Sequence, residues 1–191
     1  MTANSLSSYL TQSAEIIRAA VTHIPDANME RAVELCVIAL KNGKSVLVCG
    51  NGGSAADAMH ITGELVGRFL RERKALRCIC LSDNPATLTA WANDYDYASV
   101  FSRQVEAYGE TGGVLIGLST SGNSANVVQA AELAKKMGLS VIGLTGQGGG
   151  KLAPHCEVLL DAPSKHTPLI QQVHICLYHY LCETIEARMA G

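Results

Sequence analysis

Two loops and two helix faces carry the residues whose types and spacing could do chemistry. Gly50-Asn51-Gly52-Gly53-Ser54 follows a short β-rich run, and its missing side chains let backbone N–H groups approach a polar ligand closely. Ser119-Thr120-Ser121-Gly122-Asn123-Ser124 follows another such run. It supplies four hydroxyls, flexible N–H groups and the positive end of a helix beginning at Ser124, with no acid to repel an anion. That loop suits a phosphate monoester, although the same residue types also cap ordinary helices. Asp57, His60 and Glu64 lie on the helical pattern after the glycine loop. The four-residue step from His60 to Glu64 puts an imidazole and a carboxylate one turn apart on one face, where they can share a metal or a proton.

Farther along, Gln171, Gln172, His174 and His179 interrupt an apolar helix, and burying them requires partners. Gln171 and His179 are eight residues apart, which puts their backbones ~12 Å apart and ~80° out of line. One metal bridges them only if the side chains lean together. His174 reads as a satisfied core histidine, but spacing alone does not choose His179 over it. Arg68, Arg71, Arg73 and Lys74 crowd the end of the helix that carries His60, where cations meet the C-terminal dipole.

An alternation of strands and helices must position these groups. Two helical patterns come first, Ser5 to Val21 and Asp26 to Lys41, separated by Pro25 and ended by Gly43, and they form a helical hairpin over 1–43. An α/β core over 44–166 follows, with strands expected at Ser45 to Cys49, Leu76 to Leu81, Val114 to Leu118, Ser140 to Leu144 and Glu157 to Leu160. Crossover helices begin near Ser54, Pro85, Ser124 and Leu152, and Ala98 to Tyr108 adds one before the third strand. Together these elements imply a single domain built on a five-stranded parallel sheet with helices on both faces. Thr167-Pro168 opens a final helix running to about Arg188, within a terminal segment 167–191. Its apolar residues cannot all face one sheet, so packing against partner helices in a dimer or dimer of dimers is expected.

Composition narrows the classes. In 191 residues, 48% are hydrophobic and 17% charged, against a usual ~25% charged, which fits a folded oligomer and excludes a disordered chain. Fifteen Lys and Arg against seventeen Asp and Glu leave a net charge of −2, so no global basic field exists to hold nucleic acid. No basic leader or transmembrane-length apolar run is present, so a cytoplasmic protein with no membrane partner is expected. The seven cysteines all lie in apolar patterns and read as buried, reduced thiols. Gly50, Gly52 and Ala55, with Asp83, also satisfy a loose dinucleotide fingerprint. Asp83 lies beyond the ~20 residues that motif expects, and a dinucleotide leaves the hydroxyl loop unexplained.

Taken together, CGNGGSAADAMHITGELVGRF from Cys49, AND from Ala92, FSRQVEA from Phe101, STSGNSANV from Ser119, LTGQGGG from Leu144 and IQQVHICLYH from Ile170 carry a resemblance. Almost end to end, the sequence resembles the sugar isomerase (SIS) domain family and, within it, the phosphoheptose isomerases. The resemblance implies a homotetramer with sites between subunits, one zinc per subunit and a phosphosugar substrate. It implies interconversion of sedoheptulose 7-phosphate and D-glycero-D-manno-heptose 7-phosphate, the first step of ADP-heptose synthesis for the lipopolysaccharide core.

Matched motif by motif, Asn51, Gly52, Gly53, Ser54, Asn93 and Asp94 would contact the sugar, and Ser119, Thr120, Ser121 and Ser124 the phosphate. His60, Glu64, Gln171 and His179 match the family's zinc ligands, which selects His179 over His174; Glu64 and Gln171 also belong to the substrate set. Glu64 would be the base and His179 the acid of an enediolate route, with Asp57 orienting His60. A Glu bound tightly to metal is a poorer base, so its dual use is a tension.

Two positions depart from the family pattern. His166 stands where an acid often precedes the terminal helix, and Leu169 where a base often precedes the glutamine; both bear on sugar selectivity and turnover more than on fold. A sister subgroup binds the replication initiator without catalysis, having lost parts of the metal and catalytic set. Retention of Glu64 and His179 points away from it.

Overall fold

The computed structural model describes residues 5–190. Helices α1 (Leu6–His23) and α2 (Asp26–Lys41) lead into β1 (Val46–Gly50) and α3 (Gly53–Val66). Then come β2 (Cys78–Cys80), α4 (Pro85–Asp94), a 3-10 turn at Tyr97–Ser99, α5 (Val100–Tyr108), β3 (Val114–Ser119) and α6 (Ala125–Lys136). The chain ends with β4 (Ser140–Gly146), β5 (Val158–Ala162) and α7 (Thr167–Met189).

The five strands form one parallel sheet in the order β2-β1-β3-β4-β5. Strands β1 and β3 are buried along their whole length, as parallel strands covered on both faces must be. Alternate residues feed two cores. Val46, Val48, Val114 and Ile116 pack with Val33, Ile61, Val173 and Leu181 on the face of α2, α3 and α7. Leu47, Cys49, Leu115 and Val141 pack with Phe101, Val105, Val127 and Ala131 on the face of α5 and α6.

The chain leaves β1 toward β2 on one side and returns to β3 on the other, so the order reverses between β1 and β3. In open parallel sheets ligands bind beyond the carboxyl ends of the strands at such a reversal, and the glycine and hydroxyl loops follow the two strands that flank it.

Several local expectations change. The helix expected near Leu152 is only a 3-10 turn at Ala153–His155, because Pro154 removes a backbone donor and the segment then turns straight into β5. α3 stops at Val66, so Arg68, Arg71, Arg73 and Lys74 lie beyond the helix and do not cap its last turn by dipole alone. Cys36, Cys49, Cys78, Cys80 and Cys182 are buried, but Cys156 is half-buried and Cys176 is exposed on α7. Much of the apolar circumference of α7 is covered within the chain by α1, α2 and α3, leaving Ile175, Cys176 and Tyr180 outside. No helix among the described residues is long and apolar enough to cross a membrane.

Candidate active site

The hydroxyl loop is a rigid turn. The Ser119 and Ser124 hydroxyls share a hydrogen bond of 2.9 Å, and the Ser121 hydroxyl accepts from the Asn123 N–H at 3.1 Å. Ser124 is the N-cap of α6, yet its hydroxyl is engaged by Ser119 and makes no cap bond. Gly122 has φ +66°, and a Cβ there would collide with the Gly149 carbonyl. The turn is braced by the segment after β4: Leu152 donates to the Gly122 carbonyl at 2.9 Å and Gly146 to that of Thr120 at 3.0 Å. Ser121 and Asn123 are exposed at the mouth.

The glycine loop is tied to this turn. The Asn51 and Asn126 amides exchange hydrogen bonds of 2.9 Å in both directions, linking the end of β1 to the first turn of α6. Tyr97 donates to Asn51 Oδ1 at 3.0 Å, and Ser82 bonds both the N–H and the carbonyl of Gly50. Gly52 and Gly53 are exposed, whereas Ser54 is buried. The Gln171 amide lies so close to Gly53 that a Cβ there would meet it. Thr120 and Thr167 hydroxyls, 3.4 Å apart, tie the turn to the start of α7.

Farther along the same helices, His60 Nε2 lies 2.9 Å from Glu64 Oε1, with His60 exposed and Glu64 half-buried. His179 of α7 sets its ring edge-on to His60, the centroids 5.0 Å apart. Tyr178 places its hydroxyl 3.0 Å from His60 Nδ1 and 3.4 Å from Asp57 Oδ1. Asp57 therefore reaches His60 through Tyr178, not directly. If that hydroxyl gives its single proton to Asp57, His60 must carry its proton on Nδ1, and Nε2 turns a lone pair toward Glu64. Two acceptors at 2.9 Å need a shared proton or cation between them. Burial raises the pKa of Asp57 and, with the Asp57 charge beside it, that of Tyr178.

Two imidazoles and a carboxylate, one imidazole steadied by a hydroxyl and a second carboxylate, are the donor types zinc takes. Among the described residues no three such side chains converge on one point as they stand. Gln171 packs on Gly53, its backbone about two turns from that of His179. Asn93 and Asp94 sit exposed at the end of α4, where Asn93 donates to Asp94 at 3.0 Å. His166 is the exposed N-cap of α7 and Leu169 is buried in its first turn. His174 is fully buried, its Nε2 on the Thr145 carbonyl at 3.0 Å and its Nδ1 without a partner; burial lowers its pKa to about 4.

Tyr178, Tyr97 and Glu186 carry no motif or spacing signal in the sequence, and only the fold brings them to the site. Glu186 is 1% exposed, its carboxylate accepting from the N–H groups of Phe69, Leu70 and Arg71 at 2.9, 2.6 and 2.9 Å and lying 3.3 Å from Arg73. Burial alone would raise its pKa, but the three N–H groups and Arg73 outweigh burial and hold it below the ordinary range. The stability this carboxylate contributes is complete above its unfolded pKa of ~4.3 and is lost as pH falls through the lower folded value. Glu186→Gln strands Arg73 and should destabilise the chain at pH 7 by about 3–5 kcal/mol. Urea unfolding of both proteins should show that gap narrowing in acid; a gap independent of pH would contradict it.

Residues 8–146 match the SIS domain family. The chain is 53% identical over 155 residues to a phosphoheptose isomerase of Rhodospirillum rubrum, covering 81% of this chain and 82% of that one. It is 50% identical over 161 residues to one of Crocosphaera subtropica, covering 84% and 82%. Among solved structures, the phosphoheptose isomerase of Francisella tularensis superposes with a TM-score of 0.92 at 35% identity, over 98% of this chain and 100% of that one. That of Neisseria gonorrhoeae gives 0.89 at 40% identity, over 95% and 97%. With a sugar-phosphate isomerase's fold and its two candidate loops at the sheet's reversal point, this chain belongs to the SIS domain family, among its phosphoheptose isomerases.

Proposed function

We propose that the chain interconverts sedoheptulose 7-phosphate and D-glycero-D-manno-heptose 7-phosphate by moving a proton between C1 and C2 through an enediolate. The observation that carries this reading is the placement of Glu64 and His60 against His179 on the helix pair α3 and α7, whose opposite ends hold the glycine and hydroxyl loops. Ser119, Thr120, Ser121 and Ser124 hold the phosphate. Asn51, Gly52, Gly53, Ser54, Asn93, Asp94 and Gln171 hold the sugar.

From the ketose, Glu64 takes the C1 proton while His179 gives a proton to the C2 oxygen. Glu64 then returns its proton to C2 while His179, having given up its own, takes the proton of the C1 hydroxyl, leaving the aldose and both residues as they began. Each positioned transfer contributes on the order of 10²- to 10⁴-fold. The phosphate, remote from the reacting carbons, supplies binding energy for alignment. His60, Glu64, Gln171 and His179 would hold one zinc per subunit, which would supply a Lewis acid for the sugar oxygens.

A homotetramer with sites between subunits belongs to the same reading. A groove of about 680 Å³ between α1 and α7, lined by Ile17, Val21, Cys176, Leu177 and Tyr180, offers the apolar surface such assembly requires. We place the enzyme in the cytoplasm, at the first step of ADP-heptose synthesis for the lipopolysaccharide core. Purified protein given sedoheptulose 7-phosphate should form the aldose. No product, with or without added zinc, would move the chain to the non-catalytic subgroup.

A further inference from the structure

We propose that Arg73 and Glu186 are positioning residues for the isomerisation, a buried clamp that fixes Glu64 relative to His179 through the turn after α3. The proposal rests on the roles given above to Glu64 and His179. Both clamp side chains are hidden, at 2% and 1% exposure, and neither contacts the glycine or hydroxyl loops.

What they grip is the backbone of the candidate base. Glu64 lies in the last turn of α3, where carbonyls have no partner within the helix. Arg73 Nη2 donates to the Glu64 carbonyl at 2.7 Å, and Nη1 to the carbonyls of Gly67 and Lys74 at 3.1 and 3.2 Å. The planar guanidinium thereby closes the end of α3 together with the Gly67 cap, whose N–H bonds the Gly63 carbonyl at 2.9 Å.

Glu186, two turns beyond His179 on α7, gathers the N–H groups of Phe69, Leu70 and Arg71 on its carboxylate. This holds Phe69 where its ring lies 5.7 Å from that of His179. One ion pair thus holds both the main chain of Glu64 and the aromatic wall of His179. A buried ion pair is weak grounds for stability, since apolar residues fill such space as well. Its use here is registration: α3 and α7 carry the base and the acid separately, and the clamp joins them just past the site.

The test uses Arg73→Lys and Glu186→Asp in the full chain. Both keep the charge pair, but the first loses the fork and the second draws the carboxylate back from the turn. In both, kcat for sedoheptulose 7-phosphate should fall about 10- to 100-fold, because small misplacement of reacting groups is costly. KM and inhibition by inorganic phosphate should stay within about two-fold of the parent, because the hydroxyl turn is untouched, a split that marks loss at the transition state alone.

An activity-independent readout is the His179 imidazole signal in metal-free, histidine-labelled protein. It should move in both variants in the direction produced by Phe69→Leu. A kcat within about two-fold of the parent, a KM that rises in step with the loss of kcat, or a stationary His179 signal would overturn the proposal. If Glu186→Asp does not fold, Arg73→Lys carries the test. If the parent itself isomerises no sugar phosphate, the functional reading fails on its own, and the His179 signal alone decides whether the clamp positions that ring.

Discussion

Glu64→Gln is expected to lower kcat for the heptose phosphate by about 10³-fold, within the range a positioned general base contributes. The amide matches the carboxylate in shape but cannot take up a carbon-bound proton. The turn after α3 should survive, because Arg73 holds the Glu64 main chain and not its side chain. The 2.9 Å contact with His60 can also survive, with the Gln amide donating to the imidazole Nε2 lone pair. KM and phosphate inhibition should change little, since the hydroxyl turn lies at the far end of the helix pair. Steady-state kinetics with phosphate as competitor checks both parts, and unchanged turnover would remove Glu64 as the base.

Gly122→Ala is expected to raise KM by about ten-fold or more while leaving a folded protein, a loss of about 1.4 kcal/mol of binding. At φ +66° an L side chain is strained, and here the added Cβ would also strike the Gly149 carbonyl. Backbone cannot swing aside as a long side chain can. Relief requires the 119–124 turn to separate from the 146–152 segment, breaking the Leu152-to-Gly122 and Gly146-to-Thr120 hydrogen bonds that fix its shape. The proposed phosphate seat would then lose its shape. Titration with inorganic phosphate measures the effect directly; affinity within about two-fold of the parent would mean that the turn is not the anion's seat.

The sheet was legible because its signals are local. β1 and β3 are short β-branched and leucine-rich runs ending in turn residues, and both loops follow directly from them. The i to i+4 step predicted the His60–Glu64 contact for the same reason: helix geometry alone sets it. Long-range partners were not legible. Nothing in the spacing of Asp57 indicates that Tyr178 stands between it and His60, since that contact depends on how α3 and α7 cross.

The strand order, and with it the placement of both loops at the β1/β3 reversal, likewise needs the fold. Glu186 was invisible because an acid near a chain terminus normally faces water; only packing reveals that it receives three backbone N–H groups. The family resemblance supplied what geometry left open, the preference for His179 over His174. In the structure His179 stands beside His60, and His174 is buried against β4.

Sedoheptulose 7-phosphate incubated with the enzyme in heavy water separates an enediolate from a direct hydride shift, with the position of deuterium in the aldose read by mass spectrometry and proton NMR. Deuterium is expected at C2, because a proton held on Glu64 exchanges with solvent before it is returned. Aldose formed with its C2 hydrogen wholly carried over from C1 of the ketose would contradict the enediolate route.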